Sequence, residues 1–120
     1  MLKLYAYNGC STCQNAMKWL KEKRLPFQEI VIRETPPTVP ELTDMLKAHG
    51  GNLRSLFNTS GLDYRAMNLK EKLPAMTQAA ALKLLSENGN LVKRPFAINE
   101  KAGIHLVGFR EAEWDAAFNK

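Results

Sequence analysis

The stretch ending at Ile32 constrains this chain more than any other. Leu2 to Tyr7 alternates apolar and polar side chains, the period of a strand with one buried face. Asn8-Gly9 ends it with a turn signal. Ser11 or Thr12 is placed to cap a helix from about Cys13 to Arg24, with Ala16, Met17, Trp19 and Leu20 as its apolar stripe. Pro26 is expected to stop that helix, and Phe27 to Ile32 is apolar and β-branched, as a second strand requires. A strand, a helix and a strand in so short a run make a βαβ unit, with parallel strands and a right-handed connection. Cys10 and Cys13 sit where the first strand hands over to the helix.

The remainder alternates differently. Thr38 with Glu41 is a capping-box signature, opening a helix through Leu42, Met45 and Leu46 that closes at Gly50-Gly51. Asn52 to Asn58 and Tyr64 to Leu69 are expected as short helical pieces, with the polar turn Thr59-Ser60-Gly61 between them. Thr77 caps a further helix that ends near Asn88-Gly89-Asn90. Phe96 to Ile98 and Ile104 to Val107 form an antiparallel hairpin, and Glu111 to Phe118 a closing helix packed through Ala112, Trp114, Ala117 and Phe118. The expectation is an α/β fold of one domain over residues 1–120, with a helical insertion at about 38–89. A βαβ half followed by a ββα half resembles the thioredoxin arrangement, a mixed four-stranded sheet flanked by helices.

Composition narrows the function classes. Apolar residues make up 45% of the chain, enough for an ordinary core and too much for a disordered segment. No apolar run approaches the ~20 residues that cross a bilayer, so no membrane association is expected. The N-terminal residues lead straight into a strand without the zones of a signal peptide, which points to the cytoplasm. There, a closely spaced cysteine pair suggests redox chemistry before a structural crosslink. The net charge of +5 fits a solvated basic face, or one that draws in anionic substrates. No Lys/Arg block with interleaved aromatics supports direct nucleic-acid binding. His49 and His105 lack the paired spacing of a zinc site, so no metal is expected, and nothing demands more than a monomer.

A helix N-terminus presents unpaired N–H groups and a partial positive charge, and both favour thiolate over thiol. Cys10, just outside the helix, is the predicted nucleophile, and Cys13, one turn inside on the same face, the candidate resolving thiol. Asn8, Ser11 and Thr12 are expected to shape the site, with Asn8 and Ser11 as hydrogen-bond donors to the thiolate. Tyr7 lies next to Cys10 in sequence and is expected mainly to pack. In thioredoxin-like proteins a cis-proline faces the active cysteine. Pro95 is similarly placed, and it would bring Arg94 to the site, where a guanidinium steadies a thiolate or holds an oxyanion.

With Cys10-Ser11-Thr12-Cys13, the helical insertion and Lys93-Arg94-Pro95-Phe96 in place, the chain resembles the arsenate reductase (ArsC)/Spx family. Further marks are Asn8-Gly9-Cys10, Leu53-Arg54-Ser55-Leu56-Phe57-Asn58 and Val107-Gly108-Phe109. The resemblance implies three readings. The first is a thiol–disulfide oxidoreductase with Cys10 as nucleophile and Cys13 as resolving thiol, glutathione as co-substrate and glutaredoxin or thioredoxin as reductant. The second is a glutathione- and glutaredoxin-coupled arsenate reductase. Such enzymes surround arsenate with a cysteine and three arginines. Cys10 and Arg94 match, whereas Asn58 and Gly108 stand where the other arginines would be, and Arg110, Arg54 and Arg65 are no clean substitutes. The third is an Spx-like redox-switched regulator that binds RNA polymerase. The phosphatase-loop type of arsenate reductase needs an arginine where Ala16 or Trp19 stands, and is excluded.

Overall fold

A computed structural model describes residues 1–119. Strand β1 (Leu2–Ala6) is followed by helix α1 (Ser11–Glu22) and strand β2 (Phe27–Val31), which pairs parallel to β1 from Leu2 opposite Phe27 to Ala6 opposite Val31. Helix α1 starts earlier than expected, because Cys10 itself is its cap, ahead of Ser11 and Thr12. It also ends before Pro26. Arg24 takes the left-handed conformation (φ 57°), and the Lys23 N–H turns back to Trp19 and Lys21 carbonyls, so the chain leaves the helix at Glu22.

Helix α2 (Val39–Ala48) carries the expected capping box. The Glu41 N–H donates to Thr38 Oγ1 at 3.3 Å, and the Thr38 N–H to Glu41 Oε1 at 3.0 Å. Glu41 also accepts from the Tyr5 hydroxyl at 2.7 Å and from Lys3 at 3.3 Å, which ties α2 to the central strand. Burial works against this carboxylate, but its three donors outweigh that and hold its pKa below the ordinary value. After Gly50 and Gly51 come a 3-10 turn (Leu53–Leu56), α3 (Leu62–Ala66), α4 (Leu69–Lys72) and a second 3-10 turn (Leu73–Ala75). The single short helix expected over Tyr64 to Leu69 is thus two, broken at Asn68, which sits at φ 54°. Helix α5 (Gln78–Glu87), capped by Thr77, leads through a 3-10 turn (Gly89–Leu91) to β3 (Phe96–Asn99), β4 (Ile104–Val107) and α6 (Glu111–Phe118).

The sheet order is β2-β1-β3-β4, with β3 antiparallel to both neighbours. This is the thioredoxin-like arrangement that the element order implied. Strand alternation sends Leu2, Leu4 and Ala6 to one face, where α1 and α6 cover them with Cys13, Ala16, Trp19, Leu20 and Trp114. Tyr5, Phe96 and Ile98 face the other side and pack against α2, α5 and the turns between them. Helix α6 buries Trp114, with Ala117 and Phe118 partly packed. Ala112, expected to pack, is exposed. No helix among the described residues is long and apolar enough to cross a membrane.

One glycine fixes how the segments meet. A Cβ on Gly89 would lie 1.8 Å from the Ile32 carbonyl oxygen and 3.2 Å from the Arg33 Cα. Only a residue without a side chain lets the turn after α5 press against the end of β2.

Candidate active site

The sulfur end of the site follows from the helix start. Cys10 caps α1 with extended backbone (φ −98°, ψ 117°), so its side chain turns back over the first turn. Its Sγ accepts the Cys13 N–H at 3.4 Å, and its N–H donates to the Tyr7 carbonyl at 3.0 Å. Cys10 is half-buried and Cys13 fully buried, and both are free thiols. Partial burial disfavours the Cys10 thiolate. Hydrogen bonds from Cys13, the Arg94 charge and the Thr12 backbone more than offset this and hold the thiol below its ordinary value. Burial pushes the Cys13 thiol up to about 12. A hydrogen bond at the Tyr7 backbone opposes that rise, and the adjacent Cys10 sulfur adds to it. The pair is thus split into a half-buried thiol that ionises more readily and a covered one that is held protonated.

Asn8 and Ser11 are exposed, and the donors at Cys10 Sγ are Cys13 and the Thr12 backbone rather than those side chains. Asn8 contributes its carbonyl, which accepts Gln14 Nε2 at 2.7 Å. Thr12 lines the Cys10 cavity.

The opposite wall is assembled from distant segments. The Arg94–Pro95 bond is cis, and Arg94 lines the same cavity as Cys10 and Thr12. A short antiparallel bridge joins Phe57 to Val92, with Asn58 N–H to Leu91 O at 2.7 Å and Lys93 N–H to Leu56 O at 2.8 Å. This clamp sets Asn58 beside Arg94. Gly108 closes the wall. Its N–H donates to the Pro95 carbonyl at 2.9 Å, and its own carbonyl accepts buried Trp114 Nε1 at 3.0 Å. Together they frame a cavity of about 300 Å³ holding Cys10, Asn58, Lys93, Arg94 and Arg110.

Two cations here were not credited by sequence position. Arg110, set aside as no clean substitute, lines the Cys10 cavity. Gly108 sits at φ 73°, a region an arginine rarely adopts, and Lys93 occupies the space beside it: its Cε would lie 3.1 Å and its Nζ 3.7 Å from a Cβ at that position. Arg54, by contrast, lines a different cavity with Tyr64 and Lys70, and Arg65 is exposed on α3. Tyr7 does more than pack. The Arg33 guanidinium lies 3.7 Å from its ring centroid and that of Arg94 lies 5.0 Å away. Arg33 carried no motif. Its only sequence signal is a cation two residues after β2, at the end of the sheet where β1 delivers the cysteines.

Fold and site together define a thioredoxin-like protein with a split cysteine pair facing a cationic wall. The chain belongs to the ArsC family, whose model matches residues 5–117. It is 43% identical over 115 residues to the uncharacterized protein YusI of Bacillus subtilis, covering 95% of each chain. It is 32% identical over 114 residues to the global transcriptional regulator Spx of Enterococcus faecalis, covering 94% of this chain and 83% of that one. Among solved structures, an ArsC-family-related protein from Bacteroides fragilis matches with a TM-score of 0.89 and 40% identity, over 97% of this chain and 96% of that one.

Proposed function

We propose that this protein is a thiol–disulfide oxidoreductase of the reducing cytoplasm, acting as a monomer on glutathione-type disulfides. The observation that carries the reading is the division of labour between half-buried Cys10, held below its ordinary pKa, and buried Cys13, held far above it. The Cys10 thiolate attacks one sulfur of a mixed disulfide. A Cys10–S bond forms, the substrate S–S bond breaks, and the leaving thiolate takes a proton from water. Cys13 then gives up its proton to solvent and attacks Cys10 Sγ, forming the Cys10–Cys13 disulfide and expelling the second thiolate. The cysteine pair has lost two electrons, which glutathione, glutaredoxin or thioredoxin restores. Arg94 steadies the thiolate at the start and the departing anion at the end. Thr12 and Arg94 bound the space in which the substrate disulfide lies.

The deciding experiment is disulfide turnover by the wild type, Cys10→Ser and Cys13→Ser. The reading expects no turnover in Cys10→Ser, and in Cys13→Ser a stable protein–thiol adduct detected by mass. Undiminished turnover in Cys10→Ser overturns it. With Asn58 and Gly108 where two of the three arginines would stand, and Lys93 a point charge without a guanidinium's two-point contact, an arsenate-dependent NADPH oxidation assay coupled through glutaredoxin is expected to stay at background.

The similarity to Spx favours a second reading, in which the same pair switches contact with RNA polymerase. That reading expects polymerase to be retained by the protein in one redox state and released in the other.

A further inference from the structure

Strands β1 and β3 pair antiparallel with Tyr5 opposite Phe96. The ladder ends there, and two residues further along the same register Tyr7 falls opposite Arg94. Strand alternation puts Tyr7 on the face of Tyr5, where it packs against the core on the α2 and α5 side. Its ring is confined further. It lies over Gly9, where a Cβ would come within 2.6 Å of it, and the Arg33 guanidinium stacks on it at 3.7 Å from the centroid. The Arg94 guanidinium lies 5.0 Å from the same centroid. No carboxylate pairs with Arg94 among the described residues. A carboxylate partner would occupy the N–H fork of a guanidinium and cancel the charge that a nearby thiolate feels. An aromatic face holds the same group through its quadrupole and leaves both free. Lys93 and Arg110 also line the Cys10 cavity, and Cys13 adjoins it, but of these groups Arg94 is the one set against the ring.

We infer that Tyr7 is a positioning residue, whose ring holds the Arg94 guanidinium in the Cys10 cavity with its charge and its N–H donors uncommitted. Tyr7 itself is not among the residues that line the cavity, so its ring acts on the sulfur through Arg94. The Arg94 charge favours the Cys10 thiolate, and the ring keeps that charge in place. The hydroxyl has no part in this. The π-face is enough, so phenylalanine serves as well as tyrosine. The inference rests on the oxidoreductase reading for the reaction that the arginine assists, and on the ring geometry alone for its effect on the thiol.

The test is the pH dependence of Cys10 alkylation in the wild type, Tyr7→Leu and Tyr7→Phe, each also made with Arg94→Ala. Tyr7→Leu keeps an apolar side chain and drops the π-face. Its Cys10 pKa is expected to rise by about half a pH unit, the equivalent of a lost cation–π contact, and Tyr7→Phe to restore the wild-type value. With Arg94→Ala in place, Tyr7→Leu should add nothing. An unmoved pKa in Tyr7→Leu overturns the inference. So does a rise that persists undiminished in the Arg94→Ala background, since Tyr7 would then act on the thiol without the arginine. A second measurement needs no variant to fold. In the NMR spectrum of the wild type, the Arg94 side-chain protons should be shifted upfield by the ring, and random-coil positions overturn the contact. A Tyr7-dependent pKa with no disulfide turnover faster than that of a free thiol keeps the positioning role and overturns the oxidoreductase reading.

Discussion

The sulfur end of the cleft and its cationic wall are built in opposite ways. Cys10, Thr12 and Cys13 come from one helical turn, and their geometry follows from the cap of α1. Asn58, Lys93, Arg94, Arg110 and, beyond them, Arg33 come from four stretches of chain. A strand bridge, a glycine contact and one tryptophan hydrogen bond hold those stretches together. The sulfur end should therefore survive damage elsewhere in the fold, while the wall should fail whenever a distant support fails.

Trp114→Ala attacks the support with the largest reach. Trp114 is buried among Trp19, Phe109 and Phe118 and holds the Gly108 carbonyl. Its removal is expected to cost about 3–5 kcal/mol in denaturant unfolding. Under native conditions, anion binding at the wall should weaken more than Cys10 alkylation slows. A loss of alkylation as large as the loss of anion binding would break the distinction.

Gly89→Ala sharpens it. The added methyl meets the Ile32 carbonyl, and the overpacking is expected to cost about 1–3 kcal/mol. Because Arg33 follows Ile32, phosphate binding at the Arg33–Arg94 side of the wall should weaken while Cys10 alkylation stays close to wild type.

A smaller effect tests the sulfur end alone. The Cys13 pKa is raised in the folded protein to about 12. Folding therefore favours its protonated form. That contribution is complete below about pH 9 and is lost as pH climbs towards about 12. Unfolding midpoints of wild type and Cys13→Ala should converge over that interval. Parallel curves would mean that Cys13 is not held protonated by burial.

Much of this contrast explains what the sequence made legible. The βαβ unit, the Thr38–Glu41 capping box and the hairpin were readable because each depends on residues close in sequence. The cysteine pair was readable for the same reason. Of the wall, Arg94, Asn58 and Gly108 were readable from the motifs around them, whereas Lys93 and Arg110 stand off the expected arginine positions and Arg33 lies in no motif. Lys93 reaches the Cys10 cavity through space left by Gly108, and Arg33 is stacked on Tyr7, from which α1 and β2 separate it in sequence. Helix boundaries slipped where a single backbone conformation decided them, as at Arg24 and Asn68. Ala112 was misassigned because α6 has a weakly defined apolar face, and its burial rests on Trp114.

The central claim is that the distant wall tunes the local sulfur, through the Arg94 charge at Cys10. It is tested most directly by the pH dependence of Cys10 alkylation in the wild type and in Arg94→Ala. The account predicts a thiolate pKa below the free value of about 8.5 in the wild type and a higher one in the variant. A value near 8.5 in both would contradict it.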